Sequence, residues 1–267
     1  MTKRKPITKS ESYIDVHCHL PDNYFFKDIN NYIIQWYQQG VIHVVSVSQN
    51  YAESLRSIEL SKKYSQIIPA IGIHPWKAYE KQDELRDFDQ LLSRYKEIRI
   101  LGEIGLDYRF IKHKEKYSFQ KKVLDFFFTQ AEKRELRLML HVKGAEAEIA
   151  NYIETRTLPG KNCCIHWYSG PTKILKKLVD LDCYFSCSPA LSYSKHQIVP
   201  KMVPLDRLLT ESDGNVKYQG CVGHPGMIPE VVDLIADLAN HNRNELQQII
   251  LHNSFSYLGK REKNFDE

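Results

Sequence analysis

Eight short apolar, β-rich runs alternate with helical patterns along almost the whole chain, and that alternation leaves few folds open. Strands separated by helices favour parallel pairing, because the helix supplies the crossover that parallel neighbours need. The predicted strands are YIDVHCH at 13–19, VIHVVSVS at 41–48, Ile67–Ile73, Ile98–Ile104, Leu136–His141, Cys163–His166, Asp182–Cys187 and Arg207–Glu211. Helical spacing runs through Ile33, Ile34, Trp36 and Tyr37 to a stop at Gly40. It returns over 52–64, 82–96, Phe119–Arg134 and 145–154, after Pro171, and in a short piece near 194–200. Two further helices, 227–239 and 243–257, end the pattern. A closed α/β barrel of the (β/α)8, or TIM, type needs about 250 residues, and the chain has 267. An open doubly wound sheet is the alternative, since periodicity does not report closure. The expected organisation is one domain over 13–258, a flexible basic tail at 1–12 and a second tail at 259–267.

Composition narrows the partners. Thirty-seven Lys and Arg against 33 Asp and Glu give a net charge of +4. That permits nucleic-acid binding without the lopsided charge of a strong electrostatic binder. The six cysteines form no CxxC pair, and most lie in apolar runs as small hydrophobes. With no apparent signal peptide and no run near the roughly 20 apolar residues of a membrane span, the expected setting is the reducing cytoplasm, away from membranes.

The ends of these runs carry metal-capable side chains: His17-Cys18-His19, Glu103, His141, His166 and Asp213. Taken singly, each has an ordinary structural reading: a hydrogen-bonded core histidine, or a turn carboxylate. Parallel strands with helical crossovers bring their C-terminal ends to one face, so six such residues in order describe a pocket. Side chains two apart share a face of a strand, which lets His17 and His19 reach one ion while Cys18 turns away. Glu103 can offer one oxygen to each of two ions, and Asp213 on the eighth strand would close beside the first. Imidazole with carboxylate suits Zn²⁺ or Mn²⁺ and suits Mg²⁺ less well. Two divalent ions about 3.5–4 Å apart can activate a water and stabilise the leaving oxygen of an in-line phosphoryl displacement.

The flanking residues carry a family resemblance. Asp15-Val16-His17-Cys18-His19, Gly72-Ile73-His74-Pro75, Gly102-Glu103-Ile104-Gly105-Leu106-Asp107, His141, His166-Trp167-Tyr168-Ser169-Gly170 and Glu211-Ser212-Asp213 together resemble the TatD family of metal-dependent hydrolases. The resemblance covers roughly 13–258, with GEIGLD and HWYSG its most specific pieces. It implies an amidohydrolase-like TIM barrel and a deoxyribonuclease using divalent metals. One ion would be held by His17, His19 and Glu103 with Asp213 close by, the second by Glu103, His141 and His166. Asp213 would take the proton of the attacking water. His74 would be a substrate-contacting or proton-handling residue, or else a histidine bonded within its own His-Pro turn. The chain departs from the family in Asp213-Gly214-Asn215, where a small residue and proline are common. It departs again at Lys143, where arginine is common; lysine keeps the charge and loses the bidentate fork. The segment Phe185–Leu191, with HWYSG, is similar to the TatD-type component of a bacterial anti-phage defence cassette, which would add protein partners.

Lys143, Trp167 and Tyr168 are the expected substrate contacts, the first with phosphate and the two aromatics stacking a base; packing at the barrel rim is the other reading of the aromatics. Lys112, His113, Lys114 and Lys116 read as a solvated charge run beside the mouth. The expected function is metal-dependent hydrolysis of phosphodiester bonds in DNA, single-stranded or at an end. The alternatives are hydrolysis of an amide, lactone or aminoacyl ester, and a non-catalytic subunit of a defence complex.

Overall fold

The computed structural model describes residues 11–259. The parallel strands are β1 (Tyr13–Cys18), β2 (Val41–Ser46), β3 (Ile67–Ile71), β4 (Ile100–Asp107), β5 (Arg137–Lys143), β6 (Cys163–His166), β7 (Tyr184–Cys187) and β8 (Leu208–Thr210). They pair in sequence order from β1 to β8. The helices are α1 (Asn23–Phe26), α2 (Ile29–Gln38), α3 (Tyr51–Lys63), α4 (Ala78–Lys81), α5 (Leu85–Arg94), α6 (Tyr117–Arg134), α7 (Glu146–Thr155), α8 (Thr172–Asp180), α9 (Ile198–Met202), α10 (Ile228–Ala239) and α11 (Arg243–Leu258). A small antiparallel hairpin, β9 (Lys217–Tyr218) and β10 (Cys221–Val222), follows β8. Among the described residues no helix is long and apolar enough to cross a membrane.

Local chemistry sets these elements. Asn50 caps α3 by accepting from Glu53 N, and its own amide donates to Glu53 Oε1, a reciprocal cap. Asn242 caps α11 more simply, accepting from Asn244 N and Glu245 N. In α6 the buried face is Val123, Leu124, Phe127, Phe128 and Ala131. Phe127 meets Phe88 of α5 with ring centroids 5.2 Å apart. Each ring is fully buried, and burying such a side chain contributes about 1.5–3 kcal/mol. All eight residues of β4 are buried, as expected of a strand with side chains packed on both faces.

The barrel closes at β8 and β1 without a regular ladder. Thr210 Oγ1 donates to Ile14 O (2.9 Å), Asp213 N donates to His17 O (2.9 Å), and His19 N donates to Gly214 O (2.6 Å). Asp15 fastens the same seam, since its Oδ1 accepts from His17 N and Ser212 N, each at 3.0 Å. Ile14, Val16, Ala70, Ile100, Met139, Cys164 and Leu209 pack into one buried cluster from six of the strands. Phe255 and Tyr257 of α11 join it, and Tyr257 donates its hydroxyl to Leu138 O. Asn253 of the same helix donates to Leu205 O and Leu208 O, bracing β8.

Several strand boundaries differ from the sequence-based expectation, and two of them bear most on the site. The fourth strand, expected over Ile98–Ile104, begins at Ile100 and runs on to Asp107, with a register shift between Leu101 and Ile104. The third strand stops at Ile71, so His74 sits on the loop after it. Of the expected tails, residues 1–10 and 260–267 lie outside the described residues. Ser12 is buried, and its carbonyl accepts from Gln247 of α11.

Candidate metal centre

The strand ends deliver the six expected residues to one place. His17 lies in β1 and His19 just beyond it, Glu103 in β4, His141 in β5, His166 at the end of β6, and Asp213 on the turn after β8. All six are buried. Close approach of β4 and β5 depends on Gly105, which has φ +150° and pairs with His141. A Cβ there would lie 1.9 Å from His141 O, so no other residue fits without moving a ligand-bearing strand.

Four donor atoms form a first group. His17 Nε2 lies 3.4 Å from Glu103 Oε2 and 3.5 Å from Asp213 Oδ1; His19 Nε2 lies 3.3 and 3.5 Å from the same two atoms. A tetrahedral ion with bonds of about 2.1 Å requires donor separations of about 3.4 Å. The four imidazole-to-carboxylate spacings match that value, and the donor set suits a divalent cation such as Zn²⁺ or Mn²⁺.

Glu103 turns its other oxygen toward a second group. Oε1 lies 2.8 Å from His141 Nδ1 and 3.0 Å from His166 Nε2, and those two nitrogens are 3.3 Å apart. Each imidazole is oriented from behind by a carboxylate. His141 Nε2 is 3.0 Å from Asp107 Oδ2, and His166 Nδ1 is 3.4 Å from Glu211 Oε1. A proton on His141 Nε2 leaves its Nδ1 as a bare donor facing Glu103, and the charge of Glu211 favours the same arrangement at His166. Ser186 Oγ in turn donates to Glu211 Oε2.

His74 Nε2 also reaches this group, 3.3 Å from His141 Nδ1 and 3.4 Å from Glu103 Oε1. Its ring is set differently. The backbone N–H of Trp76 donates to His74 Nδ1 (3.2 Å), which makes Nδ1 the acceptor and places the proton on Nε2. A protonated nitrogen cannot ligate an ion. His74 is thus a hydrogen-bond donor aimed at the centre, although spacing alone would admit it as a ligand.

Charge at the centre is concentrated and buried. Burial would lower the pKa of His19, but the Asp213 and Glu103 carboxylates outweigh it and push the ring up to about 10. His166 behaves alike: burial opposes, yet Glu211 and Glu103 carry it up to about 10. Burial would raise Glu103, and the surrounding His74, His166, His17 and His141 rings instead hold it well below the usual carboxylate range. Asp213 is likewise held low against burial, chiefly by His19, His17 and His166. Burial draws His74 down to about 4 despite Glu103, which keeps it neutral. The buried carboxylates demand positive charge, and protons or divalent cations can supply it.

Above the centre opens a cleft of about 710 Å³. His19, His74, Glu103, His141, His166 and Asp213 form its floor; Lys143, Trp167, Tyr193, Lys195 and Asn215 line one part of the wall, Trp76, Arg109 and Phe110 another. Lys143 faces the cleft, but its Nζ is engaged by Trp167 O (2.5 Å) and Ser169 Oγ (3.4 Å), and burial chiefly lowers its pKa. Trp167 lines the cleft with its ring already packed on Tyr218 at 5.5 Å and 5.4 Å from Lys143 Nζ. Tyr168 departs from the sequence-based expectation. It is fully buried and its hydroxyl donates to Pro171 O, so no base can reach it. Backbone geometry explains the split, because Trp167 at φ +40° turns the chain and sends the two neighbours in different directions. Lys112, His113 and Lys114 are exposed and stand outside the cleft lining.

Asp107 and Glu211 behind the imidazoles escaped the sequence reading, as did Trp76, Arg109, Phe110, Tyr193 and Lys195 on the wall. Asp107 and Glu211 stand inside the GEIGLD and ESD motifs, and Trp76 directly follows His74-Pro75. Adjacency to ligand motifs was the available signal, but it does not say which carboxylate lies behind which ring.

Comparisons with known proteins agree with this geometry. A family profile described as TatD related DNase matches residues 14–259. An uncharacterized metal-dependent hydrolase of Methanocaldococcus jannaschii is 26% identical over 254 residues, covering 93% of this chain and 98% of that protein. The human deoxyribonuclease TATDN3 is 25% identical over 212 residues, covering 75% of this chain and 77% of that one. The crystal structure of YjjV, a TatD homolog from Escherichia coli, superposes with a TM-score of 0.87 at 23% identity, over 94% of this chain and 100% of that one. The chain therefore belongs to the TatD-related DNase family and is a metal-dependent hydrolase on a (β/α)8 barrel.

Proposed function

We propose that the protein is a deoxyribonuclease that hydrolyses phosphodiester bonds at a centre of two divalent cations. The observation that carries this reading is the division of Glu103, with Oε2 among His17, His19 and Asp213 and Oε1 between His141 and His166. His17, His19, Glu103 and Asp213 would hold one cation, and Glu103, His141 and His166 the other. Cations there would polarise a phosphoryl oxygen and lower the pKa of a water.

The chain's own residues supply the rest. Asp213, kept ionised by its histidine neighbours, is the carboxylate that accepts the proton of the attacking water. His74 presents Nε2–H to a non-bridging phosphate oxygen, where added charge in the transition state strengthens the bond. Asp107 and Glu211 hold the tautomers of His141 and His166. Lys143, Arg109 and Lys195 give the cleft positive charge for an anionic backbone.

The test is hydrolysis of a labelled single-stranded deoxyoligonucleotide with Mg²⁺, Mn²⁺ or Zn²⁺, run beside bis-nitrophenyl phosphate and a panel of carboxyl esters, lactones and amides. The proposal expects chelator-sensitive nucleotide release. Turnover confined to the carbonyl substrates would make the protein an amide or ester hydrolase instead.

A further inference from the structure

Seven large hydrophobic side chains are exposed among the described residues, and three of them line the one cleft above the metal centre: Trp76 (48%), Phe110 (60%) and Tyr193 (43%). Exposed aromatics gathered at a polar site mark a ligand surface, whereas scattered ones need no explanation. Trp76 is the best placed. Its Nε1–H donates to Asp107 Oδ2 at 2.6 Å, which fixes the indole. Its ring makes T-shaped contacts with two rings at the centre, His74 at 4.9 Å and His141 at 6.2 Å. Phe110 meets it edge-on at 5.9 Å, and the Arg109 guanidinium lies 5.8 Å from the Phe110 ring. A held ring that is nearly half exposed to the cleft and stands near a guanidinium offers apolar surface to a flat group attached to an anion.

We propose that Trp76, with Phe110 at its edge, is the stacking platform for the nucleobase next to the phosphate being cleaved. The inference rests on the nuclease reading of the site. Stacking requires an unpaired base, so the platform selects strands whose bases can swing free and tolerates any base. Arg109 would hold the neighbouring phosphate. Because Asp107 Oδ2 receives both Trp76 Nε1–H and His141 Nε2, the platform is also tied to the orientation of a metal-facing imidazole.

The test uses the metal-loaded enzyme on a fluorescein-labelled thymidine hexamer and on hexamers with one abasic position moved along the strand. Trp76→Ala is expected to raise KM about tenfold on the intact hexamer, which is about 1.4 kcal/mol. That increase should vanish when the abasic position coincides with the stacked base. Trp76→Phe keeps a ring without the N–H, so its KM should stay within about twofold; any kcat loss common to both variants reports the bond to Asp107. An equal KM increase on intact and abasic strands, or none on either, overturns the platform. Anisotropy of the same strands on metal-free enzyme separates the two proposals. A Trp76-dependent preference for the intact strand without hydrolysis retains the platform and overturns the nuclease reading. Hydrolysis without that preference does the reverse, and neither binding nor hydrolysis overturns both.

Discussion

Asp107 Oδ2 lies 3.0 Å from His141 Nε2, and that contact decides which imidazole nitrogen faces the centre. The backbone N–H groups of Arg109 and Phe110 hold its other oxygen at 2.9 and 2.7 Å. Burial alone would raise the carboxyl, but the bonds from His141, Phe110 and Trp76 hold it down to about 2. It is thus ionised throughout the working range. Asp107→Ala frees the ring to flip or change tautomer. Affinity at the His141–His166 position should fall about 10–100-fold, as for other carboxylates behind metal-bound histidines. Calorimetric titration with Mn²⁺ measures this; unchanged affinity would remove Asp107 from the site.

In the proposed centre Glu103 serves both cation positions and Asp213 only one. Glu103→Gln should therefore weaken both cation positions by at least about tenfold, whereas Asp213→Asn should weaken only the His17–His19 position. The readout is the number of tightly bound Mn²⁺ ions by equilibrium dialysis: two for the wild type, one for Asp213→Asn. Two tight ions in Glu103→Gln would sink the shared-carboxylate reading. Metal removal by a chelator should also lower the melting temperature, since a ligand at 100 times its Kd stabilises the fold by about 2.7 kcal/mol.

His74 is oriented as a donor. His74→Gln should leave the number of bound cations unchanged and lower kcat by about 10²-fold, the loss typical of one transition-state hydrogen bond. Dialysis and steady-state kinetics on the same preparation decide the matter. Loss of a bound ion would make His74 a ligand.

His196 predicts a pH effect on stability that is independent of turnover. The ring is fully buried, Nδ1 lies 2.7 Å from Tyr168 O, and Ser188 N donates to Nε2 at 3.3 Å. That pair of bonds requires the neutral ring, because a proton on Nε2 would face the Ser188 N–H. Burial draws its pKa down from 6.5 to about 4, against the pull of the Tyr168 carbonyl. Between those values the unfolded chain binds the proton more tightly. The contribution is therefore complete above pH 6.5 and is lost as pH falls toward 4, amounting to about 3 kcal/mol at the lower end. Guanidinium unfolding of metal-free protein at several pH values, compared with His196→Asn, should show a shallower acid slope in the variant. Parallel slopes would contradict the assignment.

The parallel pairing of the strands, and so the face on which their ends gather, was legible in the chain; their order was not, because periodicity admits an open doubly wound sheet as well as a barrel. Alternation of β-rich runs with helical spacing fixes parallel pairing through the requirement for crossovers, and the strand ends then name His17, His19, Glu103, His141, His166 and Asp213. Spacing of two along a strand put His17 and His19 on one face, and Glu103 Oε2 does lie within 3.4 Å of both imidazoles. Periodicity is a local property, set by backbone geometry, and it survives in the sequence without any knowledge of the fold.

What the tertiary structure decided is everything that depends on separations between strands. The seam from β8 to β1 rests on single bonds such as Asp213 N to His17 O, about 200 residues apart in sequence and invisible to any window along it. Tyr168 and Trp167 are neighbours with the same sequence appeal, and one positive φ sends the first into the core and leaves the second on the cleft. Trp76 and Asp107 are 31 residues apart, and only the packing of the loop after β3 on β4 brings the indole N–H to the carboxylate that also meets His141. Tautomers follow the same rule. A histidine's type comes from the sequence, but which nitrogen carries its proton is set by the partner behind the ring: Asp107 for His141, Glu211 for His166 and the Trp76 backbone for His74.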